Sequence, residues 1–200
     1  MKKLAIAVIA GLVSASAFAA QGDILARFRI INIAPDVKTS DTLSTVHVDV
    51  DKQTVPELDF TYMITNNIGA ELILATARHE VTSDLGSLGK INHLPPTVTL
   101  QYHFNPEGQI RPYVGAGINY TRFYNNDLSS SVTGKVSVDK NSWGGALQVG
   151  TDIAVNKDWF VNLDVKKIYI KTDVTSEKLG SLGTLKINPW VFGVGIGTKF

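Results

Sequence analysis

Apolar and polar side chains alternate with a period of two residues along most of the chain after residue 20. In segment 97–104, Val98, Leu100, Tyr102 and Phe104 fall on one face and polar side chains on the other. This alternation is typical of a strand with one apolar side, whereas an amphipathic helix repeats every 3.6 residues. The pattern predicts eight strands, at 24–33, 54–65, 68–79, 95–104, 111–124, 142–155, 159–171 and 186–200.

The links between these segments alternate in length. Three are short, at Asn66–Asn67, 105–108 and 156–158, and the Asn-Asn pair suits a tight hairpin because asparagine accepts positive φ. The other four run to about a dozen residues or more. Short turns at one end, long loops at the other and an even strand count are typical of an antiparallel transmembrane β-barrel with periplasmic turns and extracellular loops.

The beginning of the chain resembles a secretory signal peptide. Lys2 and Lys3 precede an apolar run over 4–13, and small residues lead to Ala19. We expect cleavage after Ala19, with Ala17 as the alternative. A transmembrane anchor fits less well, because a spanning helix needs roughly 20 apolar residues. The predicted organisation is a cleaved segment 1–19 followed by one barrel domain, 20–200.

Which way the apolar faces point decides between a membrane barrel and a soluble barrel or sandwich. In hydrocarbon a sheet must close on itself, because each backbone N–H and C=O needs an internal partner. Export, the charge on the opposite faces and a chain that ends in Phe200 on an apolar strand favour the outer membrane. Aromatic residues near the strand ends favour it too: Tyr102, Phe104, Tyr120, Tyr124, Trp159, Tyr169 and Trp190.

Ordered sequence blocks run through most of the chain beyond residue 20. They lie at 60–63 (FTYM), 67–72 (NIGAEL), 93–97 (HLPPT), 111–120 (RPYVGAGINY), 142–144 (SWG), 158–159 (DW) and 188–192 (NPWVF). In these blocks the chain resembles the outer-membrane protein W (OmpW) family. The resemblance implies an eight-stranded outer-membrane barrel with a periplasmic amino terminus, which passes small, often hydrophobic molecules through a narrow, largely apolar interior. It also implies roles as a phage or bacteriocin receptor and antigen. The chain departs from the family by placing Asp164 and Lys166 on an inward face.

Strand parity assigns a set of side chains to the lumen. These candidate pathway residues are Arg27, Arg29, Asp59, Met63, Glu71, Ile73, Gln101, His103, Asp152, Asp164 and Lys166. An eight-stranded barrel is filled by its own side chains or holds one small ligand. The charges could therefore pair across the lumen and close it. Alternatively, small inward residues (Ala75, Gly115, Gly117) could leave room for a ligand that passes Met63 and Ile73 and exits sideways or downward.

Four basic residues fall on the lipid-facing parity near the long-loop end: Arg122, Lys167, Lys171 and Lys186. They either extend their ammonium or guanidinium groups into water or bind the phosphates of lipopolysaccharide. Two long loops share a Leu-Gly-Ser-Leu-Gly sequence, at 85–89 and 179–183, whose leucines could cap the barrel mouth.

Other classes of function find little support. A net charge of +1 gives no pull toward nucleic acid, and the absence of cysteine excludes disulfides, thiol nucleophiles and cysteine-ligated zinc. No G-x-S-x-G sequence is present, and His79, His93 and His103 are scattered, so we expect no enzyme and no cofactor. At most, His47, Asp49 and Asp51 could hold a cation weakly, and we predict no metal site.

The predicted function is porin-like passage or binding of small, hydrophobic molecules across the outer membrane. The alternative is a closed structural barrel that serves as a surface receptor without transport. Expected partners are outer-membrane lipid and lipopolysaccharide, a small apolar solute, and the outer-membrane assembly machinery, for which Phe200 would be the recognised signal. The sequence leaves the oligomeric state open.

Overall fold

The structure, a computed structural model, describes residues 20–84, 86–130 and 132–200. The predicted signal peptide, 1–19, lies outside the described residues. The strands, all antiparallel, are β1 (Ile24–Ala34), β2 (Lys38–Thr39), β3 (Asp49–Val50), β4 (Gln53–Met63), β5 (Ile68–Ala75), β6 (Ala77–Ser83), β7 (Gly86–Leu94), β8 (Thr97–His103), β9 (Ile110–Ser130), β10 (Gly134–Val138), β11 (Asn141–Ala154), β12 (Trp159–Ile168), β13 (Lys171–Ser176), β14 (Gly180–Lys186) and β15 (Trp190–Lys199). A single turn of helix, α1 (Thr42–Thr45), separates β2 from β3. No helix in these ranges is long and apolar enough to cross a membrane.

Eight of these strands close into a barrel, which confirms the predicted fold class. β1, β4, β5, β8, β9, β11, β12 and β15 each pair with their neighbours in chain order, and β15 returns to pair with β1. In the closing pair, Leu25 lies opposite Lys199 and Ala34 opposite Trp190. The three short links lie at the same end as both chain termini, which is the periplasmic end of an outer-membrane barrel.

Three of the four long links are more regular than the sequence indicated. They contain the strand pairs β6–β7 and β13–β14 and the strand β10, and β9 continues to Ser130, so the sheet extends beyond the barrel as a tall extracellular rim. Two predicted strands are split, because β5 ends at Ala75 and β12 at Ile168. The last strand begins at Trp190 rather than at residue 186, because Asn188 has a positive φ of 33° and Pro189 follows it.

The tight turn between β4 and β5 forms, but by a different device from the one expected. Neither Asn66 nor Asn67 has a positive φ. Instead, the hydroxyl of Thr65 accepts hydrogen bonds from the backbone N–H groups of Asn67 and Ile68. The side chain of Thr65 thus stabilises the turn without left-handed backbone.

Large apolar side chains cover the outside of the barrel. Exposed examples are Phe28, Leu58, Phe60, Leu100, Ile118, Leu147, Phe192 and Val194. Charged side chains fill the inside instead, including Arg27, Arg29 and Asp59, which are buried. A soluble barrel or sandwich would have the opposite arrangement, so the apolar belt faces lipid.

The interior has three levels. A small apolar group of Leu25, Met63 and Phe160 lies near the periplasmic end. Buried charged residues follow above it. A larger apolar core then begins at Ile31 and Val191 and continues into the extracellular rim.

Candidate functional site

Eight buried ionisable side chains from five strands meet in the lumen. We call them the lumen cluster, which consists of Arg27, Arg29, Glu57, Asp59, Glu71, Asp152, Asp164 and Lys166. Each projects inward because it shares the inward parity of its strand. Three cations of the cluster therefore face five carboxyl groups, and none of the eight has more than a few per cent of its surface exposed. A further buried cation, Arg111 of β9, lies opposite Asp152.

Arg27 is the link between opposite sides of the cluster. Its Nε and Nη2 donate to the two carboxylate oxygens of Asp152 at 3.1 and 2.7 Å. Its Nη1 donates to Asp59 at 2.9 Å and to the hydroxyl of Thr61 at 2.8 Å. Paired, forked contacts of this kind fix orientation as well as charge.

Arg29 and Lys166 share a second carboxylate, that of Glu57. Arg29 Nε donates to Glu57 Oε1 at 2.7 Å, and Lys166 Nζ donates to the same oxygen at 2.9 Å. Lys166 also contacts Asp164 of its own strand, and Arg29 Nη1 donates to the amide oxygen of Asn162 at 3.0 Å. Pairing is what allows these charges to remain buried, because an isolated charge in the interior costs several kcal/mol.

Neutral polar side chains complete the cluster. The hydroxyl of Tyr113 donates to Asp164 at 2.8 Å, and Gln148 Nε2 donates to the same oxygen at 2.8 Å. Thr99 donates to Glu71 at 2.7 Å, and Asn162 Nδ2 donates to Asp152 at 2.7 Å. Thr99 bonds the Glu71 oxygen that no cation contacts, whereas the other donors add bonds to oxygens that Arg27 or Arg29 also contacts. Side chains thus fill the lumen at this level.

All eleven predicted pathway residues lie inside the barrel and are buried. Seven belong to the lumen cluster. Gln101 and His103 join its hydrogen-bond network, because Gln101 Nε2 donates to Gln148 and the His103 ring contacts Gln101 at 3.0 Å. Met63 belongs to the periplasmic apolar group, and Ile73 is buried beside Asp59 on the neighbouring strand. Their role as a pathway stays a prediction.

The prediction missed further residues that contact the cluster or belong to it, among them Glu57, Thr61, Thr99, Tyr113, Gln148 and Asn162. Each has the same parity as a residue that was assigned to the lumen, so applying the alternation along the whole of each strand would have found them.

The alternative that small inward residues leave room above the paired charges is wrong for the two glycines. A side chain at Gly117 would collide with the backbone carbonyl of Val98. One at Gly115 would meet Gln148 Oε1 at 3.1 Å and Gln101 Cγ at 3.3 Å. These glycines allow close approach of strands and side chains, and they open no space.

Empty space lies higher, in the extracellular rim. A cavity of about 110 Å³ is enclosed there by aliphatic side chains from the helix, the extended strands and the loops between them. We call this cavity the outer chamber; its walls include Leu43, Val81, Ile91, Leu128, Val136 and Leu182. Leu88 and Leu182, from the repeated Leu-Gly-Ser-Leu-Gly sequence, both line it, so part of that repeat contributes chamber wall.

Two buried histidines stack beneath the chamber. The rings of His79 and His93 are parallel with centroids 5.0 Å apart, and the edge of Phe123 packs on His93. His79 Nδ1 contacts the backbone carbonyl of Asp51 at 2.7 Å. Both residues belong to the extracellular hairpin β6–β7, and burial lowers the pKa of His79 and lowers that of His93 to about 3. The pair is therefore neutral at physiological pH.

The four basic residues predicted for the rim lie on the outside, but in different environments. Lys167 is engaged: it donates to Asp36 at 3.0 Å and to the carbonyl of Asn188 at 2.7 Å, and it lies over the ring of Trp190. Its hydrogen bond lowers the pKa of Asp36. Arg122, Lys171 and Lys186 are exposed.

No group of three or more histidine and carboxylate side chains in the described ranges is arranged to hold a metal ion. In the link that was considered for weak cation binding, His47 contacts Asp84 at 2.6 Å, and Asp51 accepts from the backbone N–H of Glu80.

Comparison with known proteins agrees with this architecture. Outer membrane protein W of Escherichia coli is 39% identical over 214 residues that cover all of both chains. The dibenzothiophene metabolism operon protein PahQ of Pseudomonas aeruginosa is 33% identical over 153 residues, which cover 71% of this chain and 69% of PahQ. Among solved structures, the outer-membrane protein OprG of Pseudomonas aeruginosa superposes with a TM-score of 0.78 at 30% identity, covering 90% of this chain and 97% of OprG.

The family model described as "OmpW family" matches residues 20–200, the whole of the predicted barrel domain. Together with the closed eight-stranded barrel, its apolar outer belt and the full-length relative, this match shows that the chain is an outer-membrane protein and that it belongs to the OmpW family.

Proposed function

We propose that this barrel binds small apolar molecules at the cell surface and lets them pass into the outer membrane. The outer chamber carries the proposal: it is a cavity walled by aliphatic side chains at the extracellular end of an exported barrel. Ligand pockets are lined mainly by hydrophobic side chains, and an apolar cavity of about 150 Å³ is known to bind benzene. The relative PahQ is named for a dibenzothiophene metabolism operon, and dibenzothiophene is a small apolar compound.

The lumen cluster constrains the route that such a molecule takes. Below the chamber, the stacked histidines and the lower part of the apolar core, the lumen is filled by paired charges and amides, with Arg27, Arg29 and Asp59 fully buried. An apolar solute would have to separate these pairs to continue straight down, at a cost of several kcal/mol. A route through the barrel wall above the cluster avoids this cost.

The wall has a candidate opening at Pro95 and Pro96, between β7 and β8. The pairing of β5 with β8 stops at Ile73, which lies opposite Thr97. The pairing of β6 with β7 begins only at Ala77, which lies opposite His93. Proline has no N–H group, so neither residue can donate to a neighbouring strand. The interruption lies between the chamber above and the lipid-facing belt below, and we propose it as the lateral exit.

Uptake by whole cells tests the function. Cells that lack other proteins of this family would express the chain, and the rate of dibenzothiophene consumption by a cytoplasmic degradation system would be measured. Val136→Phe, which fills the chamber, should lower the rate several-fold. Val155→Phe adds the same side chain at an exposed position near the periplasmic end, and it should leave the rate unchanged. Equal rates with and without the protein, or with and without the filled chamber, would overturn the proposal.

The filled lumen also supports the second candidate function, a closed barrel that serves as a surface receptor. Conductance in a planar bilayer combined with uptake separates the two. Under the first proposal the wild type shows no steady ion current yet speeds apolar uptake. The receptor function predicts neither. Steady openings that change in both Lys166→Ala and Asp164→Ala would instead place an aqueous path through the lumen cluster.

A further inference from the structure

Three lysines from neighbouring strands stand side by side on the outer surface of the rim. Lys186 of β14 lies directly opposite Lys171 of β13 on one side and opposite Lys38 of β2 on the other. All three are exposed, and none forms an ion pair with a carboxylate in the part of the chain that the structure describes. We call these residues the lysine row.

Like charges that face each other across neighbouring strands are destabilising. Elsewhere on the rim the register avoids this: Lys90 of β7 lies opposite Glu80 of β6 and Asp127 of β9. In the lysine row, by contrast, Lys186 has a lysine opposite it on both neighbouring strands. An anion from outside the chain would remove the repulsion.

Neighbouring aromatic residues indicate that the row lies at the height where lipid head groups meet the barrel. Two of its members, Lys171 and Lys186, line a surface cleft of about 260 Å³ between β11 and β13, together with Trp143 and Tyr169. Aromatic side chains of this kind mark the boundary between hydrocarbon and head groups. A cleft of that size holds far more than one water, which occupies roughly 30 Å³.

Below the cleft the barrel offers an apolar wall. Leu147 and Val149 continue down the outward face of β11 from Trp143, and Leu163 is exposed on the adjacent β12. A lipid whose phosphate reached the lysines would lay its acyl chains along this wall. A free phosphate ion would make no use of it.

We propose that Lys38, Lys171 and Lys186 bind the phosphate groups of a lipid of the outer leaflet, and that the occupant is the lipid A part of lipopolysaccharide. The long-loop end of the barrel faces outward, where the leaflet is built from this phosphorylated lipid. Ammonium groups make charge-assisted hydrogen bonds to phosphate oxygens, and several of them can share one or two phosphates.

Binding of purified lipid A to the refolded full chain tests the proposal. Bisphosphorylated lipid A would be titrated into the protein in neutral detergent, and the bound fraction would be read by native mass spectrometry. Each Lys→Gln change in the row should weaken binding about fivefold, since one lysine near an anionic lipid surface contributes about that factor. Lys90→Gln removes the same charge from a position flanked by carboxylates and should leave affinity unchanged.

Three further probes identify the anion. A triple variant carries the Lys→Gln change at positions 38, 171 and 186. Lipid A without its phosphates should bind the wild type no more tightly than it binds this triple variant. Inorganic phosphate at millimolar concentration should fail to compete, and phosphatidylglycerol should bind more weakly than lipid A. The proposal is overturned if the triple variant binds lipid A like the wild type, if Lys90→Gln is equally impaired, if phosphate competes fully, or if phosphatidylglycerol binds equally well. Heat-dependent migration on gels verifies that each variant is folded.

Discussion

Arg27 and Asp152 are 125 residues apart in sequence, yet they meet inside the barrel through two parallel hydrogen bonds of 3.1 and 2.7 Å. One belongs to the first strand and the other to β11, so their contact crosses the lumen and does not follow a strand pair. The pair connects opposite walls of the barrel.

Loss of one partner should therefore destabilise the barrel strongly. Arg27→Met leaves Asp152 buried without its main counter-charge, and we expect the free energy of unfolding to fall by about 3–5 kcal/mol. Asp152→Leu alone should have an effect of similar size. The double variant should recover part of the loss, which urea unfolding in lipid vesicles measures directly. Additive losses in the double variant would contradict a direct coupling.

Cations should be harder to remove from the lumen cluster than carboxyl groups, because five carboxyl groups there face only three cations and the neighbouring Arg111. Lys166→Met removes a contact to both Glu57 and Asp164, whereas Glu71→Gln keeps the shape and removes one negative charge. We expect Lys166→Met to lower the urea midpoint clearly more than Glu71→Gln. The reverse order would show that packing and not charge balance governs this level of the barrel.

Restoring a donor at the proposed lateral exit should slow uptake without much change in stability. Pro96 faces β9, because its carbonyl accepts from the N–H of Tyr120 at 3.0 Å. Successive residues of a strand direct their backbone groups to opposite sides, so an N–H at position 95 would face β5 and β6, where the pairing is interrupted. The gain of about 1 kcal/mol from a new bond there is nearly offset by the greater freedom of the unfolded chain. We expect Pro95→Ala to lower solute uptake in cells. Pro112→Ala, in β9 near the periplasmic end, is the control; a matching drop there would argue against the exit.

Acid should loosen the extracellular hairpin through the stacked histidines. Burial lowers the pKa of His93 to about 3, while an unfolded histidine titrates near 6.5. Between these values the unfolded chain binds more protons, so the free energy of unfolding falls as pH falls, by about 2 kcal/mol between pH 6.5 and 5. The free energy of unfolding of the wild type and of His93→Phe would be measured at pH 7.5 and 4.5. The difference between the two proteins removes the contribution of the carboxyl groups, because both proteins share it. The variant should lose less stability in acid than the wild type. Equal losses in the two proteins would show that His93 is not the cause.

The barrel itself could be predicted from the sequence because lipid and lumen impose opposite demands on alternate residues. Val98, Leu100 and Tyr102 alternate with Thr99 and Gln101 for this reason, and the structure exposes the first set and buries the second. Outside the membrane this demand ends. Strands such as β10 are short and are exposed to water on one face, so their sequence resembles that of a loop.

Partners in the lumen could not be derived in the same way. Parity places Arg29 and Glu57 inside, but which cation meets which carboxylate depends on the relative height of strands around the closed sheet. Lys38 was missed for a related reason: β2 has only two residues, and its place beside Lys186 results from pairing across most of the chain. Such long-range register has no local sequence signal.

The first and last strands close the barrel, and this has a consequence for how the protein is made. The backbone of Ile24 exchanges hydrogen bonds with that of Phe200, at 3.0 and 2.9 Å. The final seam therefore forms only after the last strand has been synthesised and exported. Until then both outer strands have unpaired edges that can join other chains, and the long sequence separation makes closure slow. We therefore expect both edges to be shielded from other chains until the barrel closes.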